Sequence, residues 1–401
     1  SACLVGSEMC IRDRPDNAKI AVLLGAHRTF SATESEMLEH FVETHDAVVF
    51  SDISSGYHGK FAFGSALACI QLQNNPIRSA FEPDLVIHVG EMTGDYNTMG
   101  FLTGLNCPVW RVSLDGEFRQ HFARLENVFQ CSNEFFFSHY ASNKHVESGY
   151  RTKWENYDIQ LRKRMPEFPF SNIWMAQQLH SMIPAGSIAH SAILSSLSSW
   201  DYFPLPKDVR SSANVGGFGI DGCTSTLIGA SLSSHELCFC ITGDLAFFYD
   251  MNSLGCREIG PNLRILLINN GLGMTFKLSN HVGSQIGPSA NIFIAAEGHN
   301  AAAKSVTGNQ SPARAWAESL GFKYLSASSK EEFNAAKDIF TSKDSEAPIL
   351  FECFTHEEDE RTARDLIDSI DSRTDSKTQL KKTIKKVLPK SVIDSLKSLR
   401  H

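Results

Sequence analysis

From Lys19 onward, short apolar runs alternate with stretches in which apolar residues recur at helical spacing. Lys19-Ile-Ala-Val-Leu-Leu24 predicts a buried strand, and Thr33 to Glu43 an amphipathic helix opened by a Ser/Thr cap. Ala47-Val-Val-Phe50, Leu85-Val-Ile-His-Val89 and Val109-Trp-Arg-Val112 predict further strands, bounded by Pro, Gly or Asp turn signals. Such alternation implies a parallel sheet wrapped by helices, so residues 15–145 are expected to form one α/β domain. Residues 146–172 are polar and of mixed charge, close on Pro166 and Pro169, and predict a helical connector. A second α/β unit is expected over residues 173–356, with strands at Leu237–Thr242, Arg264–Asn269 and Ile349–Cys353. Residues 357–401 form a charged tail. Glu357-Glu-Asp-Glu360 is followed by lysines from Lys377 to Lys397, interleaved with Leu380, Ile384, Val387 and Leu388 at roughly helical spacing. This tail is expected to pack on its own protein or a neighbouring subunit; a basic amphipathic helix on an anionic membrane is the alternative. The expected fold class is α/β, with two Rossmann-like or flavodoxin-like parallel-sheet domains and a helical C-terminal tail.

Composition narrows the partners. The net charge of −8 argues against nucleic acid as the main one. No apolar run approaches the roughly eighteen residues of a membrane-spanning helix; Leu263-Arg-Ile-Leu-Leu-Ile268 is of buried-strand type. The ten cysteines lack the spacing of a metal site or a disulfide framework, and Cys238 and Cys240 read as buried free thiols of one strand. A reducing cytoplasm is the expected setting. The opening SACLVGSEMCIRDR has no signal-peptide core. It resembles translated adapter read-through, so residues 1–14 are expected to be a non-native scar and the natural N-terminus to lie upstream.

The chemistry concentrates in two blocks. Gly243-Asp244-Leu245-Ala246 follows one predicted strand directly, and Asn269-Asn270-Gly271 follows the next, twenty-five residues on from Asp244. Phe247 to Glu258 between them predicts a crossover helix. Two parallel strands joined this way end on one edge of the sheet, where open α/β folds bind ligands. Aspartate and asparagine oxygens there suit Mg²⁺, which keeps few protein ligands and completes its shell with phosphate oxygens. Small residues around Asp244 let backbone N–H groups approach a diphosphate at the start of a helix. The second block, Asn214-Val-Gly-Gly-Phe-Gly-Ile-Asp-Gly222, heads a small-residue helix at Ser225 to Ser231. Taken singly, Asp244 reads as a helix N-cap, Asn269-Asn270 as a turn, Ile220 as core and the glycines as a loop. Their order and spacing together favour a cofactor site.

The pairing of Gly-Asp with Asn-Asn resembles the signature of thiamine-diphosphate-dependent decarboxylases and carboligases. With Gly219-Ile-Asp-Gly222 and Tyr249-Asp-Met-Asn252, it is most similar to the menaquinone-pathway 2-succinyl-5-enolpyruvyl-6-hydroxy-3-cyclohexene-1-carboxylate synthases. The resemblance is densest from Asn214 to Phe276. It implies thiamine diphosphate and Mg²⁺ as cofactors, with Asp244, Asn270 and the backbone carbonyl of Leu272 as metal ligands. It implies cofactor contacts at Gly219, Ile220, Asp221, Gly222, Gly243, Leu245, Ala246, Gly273 and Met274. Ile220 would be the wedge beneath the thiazolium, and Phe276 would line the substrate pocket. The first α/β domain would be the cofactor-free middle domain. The partners implied are a 2-keto acid, an acceptor and further copies of the chain in a dimer or tetramer.

Two departures qualify the likeness. Val215 and Ser195 stand where the synthases carry arginines for substrate carboxylates, and neither can form bidentate bonds. A different acceptor is therefore expected, with the menaquinone-pathway reaction itself as an alternative. The pyrimidine-binding domain, whose glutamate activates the cofactor, finds no room before Lys19. The expectation is truncation rather than a separate polypeptide, and a chain inactive alone. A non-catalytic binding or regulatory subunit of the same fold is the rival, against which Asp244 and Asn270 stand intact. A nicotinamide-dependent dehydrogenase is disfavoured, because Leu24-Gly-Ala-His-Arg28 supplies no Gly-x-Gly-x-x-Gly turn.

Overall fold

Twelve strands assemble into two six-stranded parallel sheets in the computed structural model, which describes residues 18–119, 121–141, 145–279, 281–298 and 311–371. The first sheet contains β1 (Ile20–Leu24), β2 (Val48–Ser51), β3 (Phe63–Gly64), β4 (Leu85–Val89), β5 (Val109–Ser113) and β6 (Leu125–Gln130), in the order β3-β2-β1-β4-β5-β6. The second contains β7 (Ile188–Ser191), β8 (Arg210–Ala213), β9 (Cys238–Gly243), β10 (Leu263–Asn269), β11 (Lys323–Ala327) and β12 (Ile349–Phe354), in the order β11-β12-β10-β9-β7-β8. The α/β class expected from the sequence is the one observed.

Helices cover both faces of each sheet, so the central strands are buried on both sides. Along β1, Ala21 and Leu23 enter one core while Ile20, Val22 and Leu24 enter another. Along β9, Phe239 and Ile241 share the core of Ala21 and Leu23, whereas Cys238 and Cys240 point to a third. The inner faces of both sheets thus contribute to one continuous apolar cluster. The helix Tyr150–Lys163 strengthens it: Trp154 is fully buried, with Phe50, Phe81 and Phe101 rings 4.8, 5.1 and 5.5 Å away.

The helix Glu357–Asp368 lies across both halves. The backbone N–H of Asn172 donates to Glu360 Oε1 at 3.0 Å, Gln71 Nε2 to the Ile367 carbonyl at 2.7 Å, and Arg364 Nη2 to Asn97 Oδ1 at 3.2 Å. The basic residues from Lys377 onward and the opening fourteen residues lie outside the described residues.

Some expected elements are corrected. The helix placed at Phe247–Glu258 begins earlier, at Asp244, runs to Asp250 and tightens into a 3-10 turn over Met251–Gly255. Ser253 Oγ and Trp316 Nε1 donate to the carbonyls of Asp250 and Met251 there. The small-residue helix spans Cys223–Leu232 rather than Ser225–Ser231, because Gly222 at φ +80° starts it earlier. No helix among the described residues is long and apolar enough to cross a membrane.

Candidate functional site

β9 and β10 are neighbouring parallel strands, with Gly243 in register with Ile268, so their carboxyl ends deliver Asp244 and Asn270 to one edge. Asp244 is the first residue of its helix and is buried. Its Oδ1 accepts the Leu245 N–H at 2.7 Å and its Oδ2 the Gly271 N–H at 2.6 Å. One carboxylate therefore ties the strand–helix junction to the turn after the next strand. Gly271 sits at φ +75°, a conformation that favours glycine. Burial pushes the Asp244 carboxyl up to about 6, while the surrounding backbone N–H groups of Leu245, Gly271 and Asn270 pull it down.

Asn270 Oδ1 is buried and has no hydrogen-bond partner. A buried amide oxygen left without a donor is costly, and an oxygen ligand for a hard cation is a role in which it needs none. Space points the same way: a Cβ at Gly243, Gly216 or Gly217 would meet nothing within 4 Å. The residues present fit a Mg²⁺–diphosphate group.

The second block closes on the first. The helix Cys223–Leu232 packs against β9 and the helix Asp244–Asp250, and the Ser225 N–H donates to Asp250 Oδ2 at 2.5 Å. In the loop ahead of it, Asn214 Nδ2 donates to the Asp221 carbonyl at 2.7 Å, and a Cβ on Gly219 would come within 2.4 Å of Asp221 Oδ1. The Asp221 side chain is exposed; Ile220 is half-buried and packs against two of the cores. Leu245 is half-buried and Ala246 buried.

After β10, the Leu272 and Met274 side chains are buried with Ala295, and the Gly273 N–H donates to the Ala295 carbonyl at 2.6 Å. The metal role expected of Leu272 belongs to its backbone carbonyl. Phe276 packs edge-to-face on His281, with ring centroids 5.3 Å apart, and borders a cavity of about 530 Å³. Ser195 opens the helix Ser195–Trp200 and shares a 2.8 Å hydrogen bond with the Thr275 hydroxyl, beside the same cavity. Val215 is core.

Two carboxylates near this edge escaped sequence reasoning. Glu352, fully buried on β12, accepts from Asn269 Nδ2 at 2.7 Å, from Tyr324 Oη at 2.7 Å and from Ser311 Oγ, and so holds the residue before Asn270. Its one signal was a lone acid inside an apolar strand. Glu360 is also buried, which pushes its carboxyl up to about 7; the Asp244 charge adds to the rise.

No protein-family profile matches the chain. Curated relatives do. The 2-succinyl-5-enolpyruvyl-6-hydroxy-3-cyclohexene-1-carboxylate synthase of Phocaeicola vulgatus is 33% identical over 257 residues, covering 63% of this chain and 43% of that protein. The synthase of the same name from Bacteroides fragilis is 32% identical over 262 residues, covering 64% and 44%. That of Bacteroides thetaiotaomicron is 31% identical over 261 residues, with the same coverages. The chain spans less than half the length of these relatives. The likeness read from the motifs is thereby borne out: the chain's homologues are these synthases.

Proposed function

We propose that this homologue of the synthases carries the diphosphate- and Mg²⁺-binding part of a thiamine-diphosphate-dependent enzyme. The enzyme decarboxylates a 2-keto acid and delivers the acyl group to an acceptor or to a proton. The observation that carries the reading is the buried, unpartnered Oδ1 of Asn270, in the turn whose next residue, Gly271, donates its N–H to Asp244 Oδ2, at the ends of paired strands. When bound, thiamine diphosphate supplies the electron sink for decarboxylation. The protein supplies the rest. Asp244, Asn270 and the Leu272 carbonyl would hold the metal; Gly243 to Ala246 and Gly219 to Gly222 would bind the cofactor, with Gly273 and Met274 completing the contact. Ile220 would support the bound cofactor, and Phe276 would line the substrate pocket. The intact Asp244–Asn270 pair favours an enzyme over a non-catalytic subunit.

Val215 and Ser195 argue for an acceptor other than that of the menaquinone pathway. A complete enzyme is expected to show no useful turnover of isochorismate with 2-oxoglutarate. We assign it to the cytoplasm as a homo-oligomer, a dimer or tetramer, with small-molecule partners.

Calorimetric titration of the 401-residue chain with thiamine diphosphate tests the reading. Binding is expected with Mg²⁺ and not with excess chelator, and to be lost in Asp244→Ala. Equal binding with the metal removed overturns the assignment.

A further inference from the structure

The cavity beside Phe276 has walls from three parts of the chain. Tyr96 and Asn97 come from the first half, Thr275, Phe276 and His281 from the second, and Arg364 from the helix that lies across both. At about 530 Å³ it has the size of a small-molecule site, and such sites favour the seam between domains. Among the described residues no aspartate or glutamate lines it, and Arg364, ion-paired with Asp368 on its helix side, is the permanent cation in its walls. The lining therefore suits an anion.

Arg364 is held as a binding group would be. Only 7% of the residue is exposed. Nη2 donates to Asn97 Oδ1 at 3.2 Å, Asn97 Nδ2 donates in turn to Tyr202 Oη at 3.0 Å, and the guanidinium lies over the Tyr202 ring, 5.7 Å from its centroid. Asp368 Oδ1, one helical turn on, pairs with Nε across 2.9 Å, an ion pair without well-aligned hydrogen-bond geometry that holds the guanidinium from the helix side. A guanidinium offers five N–H donors in a planar fork, and burying it with donors unmet is unfavourable unless something else meets them.

We propose that Arg364 anchors a carboxylate of the substrate in this cavity. This rests on the proposed function above and names its specificity-determining cation. Ser195 and Val215, the positions at which the resemblance led to an expectation of arginines, contribute no charge; Ser195 instead bonds to Thr275 in the cavity wall. The cation comes from the opposite wall, on the C-terminal helix. The substrate class is a small organic acid with an apolar body, its carboxylate against Arg364 and its body against Phe276 and Tyr96.

The test measures binding to the 401-residue chain by ligand-observed NMR. The probes are phenylpyruvate, 4-methyl-2-oxopentanoate and 2-oxoglutarate, each beside its methyl ester or diester. At least one acid is expected to bind, about tenfold or more tighter than its ester, the ratio lost with one charge-assisted hydrogen-bond pair. Arg364→Met should weaken the acid about tenfold or more and leave the ester unchanged, with Arg364→Lys between them. Should Arg364→Met fail to fold, Gln73→Glu serves instead. It is isosteric, lies in the cavity wall and leaves the Arg364 contacts in place, so it should weaken the acid alone. No acid binding, equal binding of acid and ester, or unchanged acid affinity in the folded variants overturns the proposal. Mg²⁺-dependent cofactor binding, measured on the same samples, separates the two readings. Cofactor bound without acid refutes the Arg364 site alone, and acid bound through Arg364 without cofactor refutes the cofactor reading alone.

Discussion

The carboxyl edges of the two sheets offer a controlled comparison, because both sheets are parallel, six-stranded and wound in two directions from an inner strand. Ligands of such folds bind where the direction of winding reverses. In the first sheet that place lies between β1 and β4, and the backbone has closed it. The Gly25 N–H donates to the Val89 carbonyl at 2.9 Å, the Glu91 N–H to the Ala26 carbonyl at 2.8 Å, and Ala26 and Glu91 pair as an isolated bridge. A Cβ on Gly25 would lie 1.7 Å from the Glu91 oxygen. In the second sheet the reversal lies between β7 and β9, and the glycine closing β9 faces open space. Topology thus provides two equivalent edges, and short-range backbone pairing decides which can take a ligand.

The sharpest way to break this comparison is at the two acids that end the inner strands. Asp244→Ala should abolish Mg²⁺-dependent thiamine diphosphate binding, a loss of about a hundredfold or more by calorimetry. Glu91→Ala, at the closed edge, should leave it unchanged. A similar loss in both would mean that the edges do not differ as described.

The glycines give the next largest effect. Gly25→Ala should destabilise the protein by roughly 3 kcal/mol in urea unfolding, since the added methyl meets a backbone carbonyl rather than a yielding side chain. Gly243→Ala should leave stability within about 1 kcal/mol and weaken cofactor binding instead. Reversed outcomes would show that the first edge is the yielding one.

Glu360 sharpens the picture through pH. Burial raises its carboxyl from 4.5 to about 7, so the folded state holds this proton more tightly than the unfolded chain. The associated stability is fully present below about pH 4.5 and is lost as pH rises through 7, by roughly 3 kcal/mol at most. Glu360→Gln keeps an acceptor for the Asn172 N–H and removes the titration. The variant should melt higher than the parent at pH 8 and together with it near pH 5. A constant difference across that range would remove Glu360 from the account.

Ser195→Ala should have the smallest effect. Losing its bond to Thr275 costs about 1 kcal/mol or less, with cofactor binding unaltered. A large loss of cofactor affinity would place Ser195 in the cofactor site rather than at the cavity wall.

The sequence by itself determined the strands β1, β2, β4, β5, β9, β10 and β12, though not the inner strand β7, together with the parallel architecture and the neighbourhood of Asp244 and Asn270. Apolar runs such as those of β1, β4 and β10 are local signals, and the spacing of Gly-Asp from Asn-Asn spans a single strand–helix–strand unit. The edge strand β11 was not legible, because Lys323 and Ser326 are exposed and Tyr324 and Leu325 only half-buried, which blurs the pattern. Nor were the polar partners of the site. Asn269 meets Glu352 across 83 positions, and Arg364 meets Asn97 across 267. An acid or arginine in an apolar stretch announces that something must compensate its burial, but not what. Only the tertiary structure decided that, by closing one edge with a carbonyl over Gly25 and leaving the other bordered by an asparagine oxygen without a donor. Periodicity is written along the chain. Desolvation and hydrogen-bond satisfaction depend on what the fold brings from elsewhere.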